Sequence, residues 1–401
     1  MSKSESFAFE NLKAKFKDRW ADEKTRTKWS TIGLGIVIAI SVVVMALTFV
    51  TGRDTSPSDF DPGQRQVVLY TSADDAVVRA LTSEFETKTG IKVKIASDTE
   101  ATKSTGLVQR IIDEKKDESG TRADIWWSSE LVGTMRLAKE GVLEPCKPRS
   151  EGDFPGGWPL ILRASDRAWH GFGQRARVLA YNTNRLNPEN APTTLRQLTD
   201  PVWKGRVGMS RPQFGTMRTH IAVLLAENSR QVVKEFLVGL KNNQVRFYDS
   251  NSAVVRGISQ GEIDVGLTDT DDVWAAMREK WPVDCKFELQ DDPKEEAEGL
   301  KSLGPIMIPN TVAKVRGGPH TQEALKLFDF LLSADAERIL AFSESKNIPV
   351  REKLREEFAK LVETQPQFKR LEIPTPFHPD PAKLAAAEQA ALSLVKEVFG
   401  E

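Results

Sequence analysis

From Gln66 onward the chain alternates short apolar runs with amphipathic ones, and that alternation limits its fold more than any other feature. Gln66–Tyr70 (QVVLY) reads as a buried strand. Asp74 to Lys88 then places Val77, Val78, Leu81 and Phe85 on one helical face. Gly90 ends that helix, Ile91–Ile95 (IKVKI) alternates as the next strand, and Thr105–Lys115 is helical. Ala123–Trp127 (ADIWW) is a third strand, followed by a helix over Leu131–Glu140 closed by Gly141. This order predicts an α/β body with a parallel sheet covered by helices on both faces. The series then resumes, with strands expected at Arg177–Asn182, Arg206–Met209, Val245–Tyr248, Ile263–Leu267 and Pro305–Val312. The helices between and after them are expected at Thr216–Leu225, Gln231–Leu240, Ala253–Ser259, Val273–Lys280, Thr321–Leu332 and Ala334–Glu344. A terminal helix runs over Asp380–Phe399, with Asp380 as N-cap and Pro381 in its first turn.

Two α/β units without a nucleotide fingerprint suggest two lobes around a cleft. Ligands of such sheets sit beyond the carboxyl ends of the strands. The informative positions are therefore Ser72, the Ser128–Glu130 turn, Ser210–Thr216, Asp249–Asn251 and Thr268–Asp272.

A length of 401 residues fits two domains or one large bilobal unit. The net charge of -1 offers no basic excess for nucleic acid. The two cysteines, Cys146 and Cys285, have no zinc-ligand spacing. They are either two distant free thiols or a single disulfide in an extracytoplasmic body.

The first 50 residues differ in kind. Thr31–Val50 is an uninterrupted run of 20 residues that carries no charge, and as a helix it would be roughly 30 Å long, the thickness of a bilayer core. Eight Lys/Arg against five acids precede it, which places residues 1–30 in the cytoplasm and the body outside. A signal peptide has a shorter leader and core, so the expectation is an uncleaved anchor at 31–50, with a tether at 51–65 rich in turn formers.

Six segments, in this order and spacing, carry a resemblance to a known family: VVLYTSADDAVVRALTSEFETKTGIKVKI (67–95), ADIWWSSELVGTMRLAKEGVLEP (123–145), RARVLAYNTNRL (175–186), LTDPVWKGRVGMSRPQFGTMRTHIAVL (198–224), YDSNSAVVRGISQGEIDVGLTDTDDVWAA (248–276) and LGPIMIPNTVAKVRGGPHTQEALKLFDFLLS (303–333). The body resembles the ferric-iron-binding-type extracellular solute-binding proteins of ABC importers. The resemblance implies a type II periplasmic-binding-protein fold, closing by hinge bending around a ligand held between lobes. Crossovers fall near Gly171–Arg177 and Glu298–Gly304. Lobe 1 is expected at 66–172, completed by about 300–345, and lobe 2 at 173–299, completed by about 346–401.

Departures from the family pattern bear on the ligand. Iron-binding members use adjacent tyrosines where this chain has Asp271 and Asp272, and the chain holds only three tyrosines in all. Ala73 and Asp74 replace the usual histidine after the first strand, and Glu130 is the family's carboxylate shifted by one residue. Gly215, Thr216 and Asn251 match the synergistic-anion site. The chain thus looks like a branch with a TDTDD loop in place of tyrosines.

Asp269, Asp271 and Asp272 lie within four residues and repel one another unless a cation, a basic side chain, a helix N-terminus or water compensates. A hard cation prefers such oxygen ligands, and Glu130 could complete the set across the cleft; an amine would suit the carboxylates as well. The plainer role for Asp271 or Asp272 is to cap the helix that follows. Free N–H groups at Gly215 and Thr216 suit an anion, with Arg211 adding charge. His220 lies one turn further in, as ligand contact or as structure. Asn251 can reach the same anion or cap its own helix. Of Trp126 and Trp127, one is expected in the core and one on the cleft wall.

Two motifs fail on context. Gly257-Ile258-Ser259-Gln260-Gly261 matches G-x-S-x-G, but here a helix precedes and a strand follows, the reverse of a nucleophile elbow. Asp269-Thr270-Asp271-Asp272 matches an acid motif of all-helical terpene cyclases, and this chain alternates α and β. The expected function is therefore not enzymatic. It is a monomeric, membrane-tethered periplasmic binding protein that captures a small solute for an ABC permease, with no cofactor. The cargo is Fe(III) or another hard cation with an anion; a small phosphonate, phosphorylated or amine solute is the alternative, and a tethered sensor the rival from another class.

Overall fold

The computed structural model describes residues 65–98, 106–117, 120–291, 299–344, 346–364 and 376–400. The expected cytoplasmic tail, anchor and nearly all of the tether lie outside the described residues. Among those described, no helix is long and apolar enough to cross a membrane.

The first unit follows the alternation closely. Strand β1 (Gln66–Thr71) leads to α1 (Asp75–Thr89), which buries Val78, Leu81 and Phe85. Gly90, at φ 68°, turns the chain in the left-handed region and donates its N–H to the Glu86 carbonyl. Then come β2 (Lys92–Ser97), α2 (Gly106–Glu114), β3 (Ile125–Ser128), α3 (Val132–Lys139) and the short β4 (Leu143–Glu144). The second unit holds β5 (His170–Asn182), β6 (Val207–Ser210), α4 (Gly215–Glu227), α5 (Arg230–Asn242) and β7 (Arg246–Tyr248). It continues through α6 (Asn251–Ser259), β8 (Val265–Asp269), α7 (Thr270–Arg278) and β9 (Val283–Lys286). The chain closes with β10 (Met307–Val315), α8 (Thr321–Leu331), α9 (Ala334–Phe342), α10 (Glu352–Thr364) and α11 (Pro381–Phe399). Asp380 caps α11 as expected, its side chain accepting from the N–H groups of Ala382 and Lys383.

The sheet is mixed rather than parallel throughout, which corrects the sequence expectation. Its order is β2-β1-β3-β10-β5-β8-β6-β7, with β4 beside β10 and β9 beside β5. Parallel pairing holds within β2-β1-β3 and within β8-β6-β7. Between these groups, β10 and β5 run antiparallel to their neighbours. The crossover expected near Gly171–Arg177 is not a loop. It is the first half of β5, which pairs with β10 up to Ala176 and with β8 from Arg177 onward.

Both tryptophans of β3 are fully buried, which corrects the expectation that one would wall the cleft. Trp126 donates to Thr134 Oγ1 at 2.7 Å, and Trp127 donates to Asn310 Oδ1 at 3.2 Å. A buried indole needs such a partner, and here each finds it inside the body. Cys146 and Cys285 are both free thiols, and they sit in different apolar clusters.

Candidate functional site

The loops after β1, β3, β6, β7 and β8 converge on an open cleft. Helices α4, α6 and α7 all begin at its wall, and unpaired N–H groups at a helix start favour negative charge. Gly215 adopts φ 56° where α4 opens, a conformation that costs glycine little, and it lines the cleft. Asp74, Asp269, Asp271 and Asp272 line the same cleft, the last three at the start of α7 itself. One ligand oxygen from each of Asp269, Asp271 and Asp272 lies within 4.8 Å of the others.

Two arginines of β5, not among the expected site residues, compensate these carboxylates. Arg175 and Arg177 stand two residues apart, so they share one face of the strand. Arg177 Nη1 donates to Asp269 Oδ1 at 2.6 Å, and both side chains are 3% exposed. The other oxygen of Asp269 accepts from Thr216 Oγ1 at 2.7 Å and from Asn251 Nδ2 at 2.8 Å. Asn251 Oδ1 accepts in turn from Ser210 Oγ at 2.8 Å. Asp269, Thr216 and Asn251 are thus knit into a closed network around one guanidinium.

Arg175 has a different setting. Its Nε donates to Asp271 Oδ2 at 3.0 Å, and its Nη1 donates to the Ser129 carbonyl. Burial works against its charge, but Asp271, Asp269 and Asp74 outweigh burial and raise its pKa further. Asp271 is raised in turn, first by burial, which Arg175 opposes and Asp269 and Asp74 reinforce. Its Oδ1 is buried and has no hydrogen-bond partner among the described residues.

The structure distributes the remaining expected site residues unevenly. Asp271 and Asp272 lie in the first turn of α7 behind Asp269, which holds the N-cap position without a side-chain capping bond. Asn251 is relieved of capping because Ser250 accepts from the Ala253 N–H. Ser72 is buried behind the cleft, its hydroxyl 3.0 Å from that of Ser128. Glu130 does not join the acidic cluster. Its oxygens accept from the N–H groups of Val132 and Gly133 at 2.5 and 2.8 Å and from Thr219 Oγ1 at 2.9 Å, so it caps α3 and ties it to α4. All three tyrosines are engaged elsewhere, their hydroxyls donating to Glu114, Asp284 and Glu262.

His220 lies behind Arg177, whose Nε donates to its Nδ1 at 3.2 Å. Burial, with Arg177 adding to it, holds the imidazole well below its ordinary pKa. It is therefore neutral at neutral pH and carries its proton on Nε2. His220 borders a small internal cavity with Glu288 rather than the main cleft. Burial raises the Glu288 carboxyl from 4.5 to about 7. An acid raised in this way stabilises the fold fully below its unfolded value and loses that contribution as pH rises through its folded one. Wild type should lose about 3 kcal/mol between pH 4.5 and pH 8 from this group, and Glu288→Gln should not. Urea unfolding of both proteins at the two pH values tests this, and parallel losses would refute it.

A cleft beyond the carboxyl ends of parallel strands, framed by helix starts and buried ion pairs, suits a protein that binds a small charged ligand. The family model for "bacterial extracellular solute-binding protein" matches residues 67–342, and the chain belongs to that family. Iron uptake protein A1 of Synechocystis is 25% identical over 312 residues, spanning 77% of this chain and 83% of that one. The major ferric iron-binding protein of Neisseria meningitidis is 25% identical over 284 residues, 70% of this chain and 79% of its own. Iron-bound HitA from Pseudomonas aeruginosa superposes with a TM-score of 0.67 at 24% identity, covering 83% of this chain and 99% of HitA.

Proposed function

We propose that the body captures a hard cation, Fe(III) foremost, together with an anion, and presents it to the permease of an ABC importer. The observation that carries this reading is the carboxylate cluster of Asp269, Asp271 and Asp272 at one cleft, opposite the starts of α4 and α6. Hard cations favour such oxygen donors, and the helix starts suit the accompanying anion. The names of the relatives in Synechocystis and Neisseria point the same way. Asp271 and Asp272 take the place of tyrosine ligands.

In this reading residues 66–172 and 173–299, completed by about 300–345 and 346–401, are the two lobes, and β5 and β10 are the segments that flex between them. Residues 31–50 hold a monomeric body at the outer face of the cytoplasmic membrane. Delivery needs no covalent step, since cargo shifts the balance between open and closed forms. A second reading is a small phosphonate, phosphorylated or amine solute; the two guanidiniums that pair with Asp269 and Asp271 suit the phosphonate or phosphorylated solute, and the carboxylates suit the amine.

Thermal melting of the full-length chain tests both. Cargo at a hundredfold its dissociation constant should stabilise by about 2.7 kcal/mol. A rise with Fe(III) and bicarbonate that chelator reverses supports the first reading. A rise only with an organic anion or amine, indifferent to chelator, replaces it with the second.

A further inference from the structure

The first two carboxylates of the cluster are not equivalent, and the difference lies in their arginines. Asp269 is saturated: Arg177 occupies one oxygen, and Thr216 and Asn251 occupy the other. Asp271 is half-occupied. Arg175 holds its Oδ2, while its Oδ1 is buried at the cleft without a partner. A residue that is 8% exposed does not leave a carboxylate oxygen unpaired without cost, so that oxygen marks the place where an electropositive group completes the site. Arg175 also reaches the Ser129 carbonyl, at the turn after β3, while Asp271 belongs to the turn after β8. One guanidinium therefore joins the segments that follow β3 and β8, strands that β10 and β5 separate in the sheet.

We propose that Arg175 is a built-in counter-cation, which shares Asp271 with the cargo and thereby sets how much positive charge the cleft accepts. This rests on the cation-capture reading above. With the cleft empty, Arg175 compensates Asp271 and holds the Ser129 and Asp271 turns together. When a cation arrives at Oδ1, the guanidinium beside it repels the newcomer. Coulomb repulsion scales with the cargo's charge, so Arg175 penalises a trivalent ion more than a divalent one. Arg175 is a specificity-determining residue by this account, and Arg177 only holds Asp269 in place.

The test is isothermal titration and thermal melting of the full-length chain, wild type against Arg175→Gln. The probes are Ca2+ and Fe(III), the latter supplied as its nitrilotriacetate chelate with bicarbonate. Arg175→Gln should bind Ca2+ roughly tenfold more tightly and Fe(III) more tightly still, by roughly a further tenfold. Arg175→Lys keeps the charge and should stay close to wild type. Arg175→Gln combined with Asp271→Asn should lose the gain. If Arg175→Gln is unfolded alone, either ion should refold it by supplying the missing positive charge; failure to do so overturns the proposal. Wild type that responds to the ions while Arg175→Gln gains nothing, or binds more weakly, overturns it too and leaves cation capture standing. Wild type and variant both indifferent to the two ions would remove cation capture itself, and this proposal with it.

Discussion

Replacing Arg177 with methionine is expected to lower the folding free energy by about 3–5 kcal/mol, because it strands a buried carboxylate. Asp269 would keep Thr216 and Asn251 as donors but lose the only full charge that touches it at hydrogen-bond distance among the described residues. His220 Nδ1 would lose its donor as well, and a buried acceptor without a partner is itself costly. Arg177→Met with Asp269→Leu should recover much of the loss, since an apolar pair of similar volume often replaces a buried ion pair at little net cost. Urea unfolding of the single and double variants decides the matter. A single variant as stable as wild type would show that the network around Asp269 does not hold the cleft together.

Asp271→Asn should act on binding instead. The amide keeps the shape but removes the charge that a cation needs, so affinity for Fe(III) with bicarbonate should fall about 100-fold. Folding stability should fall by less than in Arg177→Met, since Arg175 keeps the Ser129 carbonyl as acceptor although it loses its carboxylate. The variant should therefore melt between Arg177→Met and wild type without cargo and show no chelator-sensitive rise with it. An unchanged titration would remove Asp271 from the cargo site. Asp269→Asn should contrast with it, disturbing the Arg177 network first and cargo only through that network.

Much of this body was legible in the residues because local patterns and global packing agree. The helix of Asp75–Thr89 followed from Val78, Leu81 and Phe85 on one face and the glycine at its end. The cleft loops followed from where strands of an α/β sheet end, and Gly215, Thr216, Asn251, Asp269 and Asp271 all stand at or against that cleft. Strand β9 (VDCK) was missed because its alternation runs over only four residues, too short a pattern to read as a strand, and β5 supplies its pairing from a hundred positions away. Arg175 and Arg177 were missed for a related reason. A charged residue in a strand reads as solvent-facing, and nothing local shows that carboxylates from a distant turn wait on that face. The R-A-R spacing was the available signal, since two arginines two positions apart on a single strand point the same way. Glu130 misled in the opposite direction: a carboxylate just after a strand suits a ligand, yet two N–H groups within three residues claim it first.

Strand β10 imposes an order of events on the growing polypeptide. Thr311 on β10 lies 2.6 Å from Thr134, a neighbour 177 positions earlier in the chain, and β10 occupies the middle of the sheet between β3 and β5. During synthesis the first three strands therefore wait, without their central neighbour, until nearly four-fifths of the polypeptide has been made. Pairings this distant form slowly, since the loop must close before the contact rewards it. The sheet can close only once β10 has emerged, so its two flanking groups of strands are expected to join in one late step.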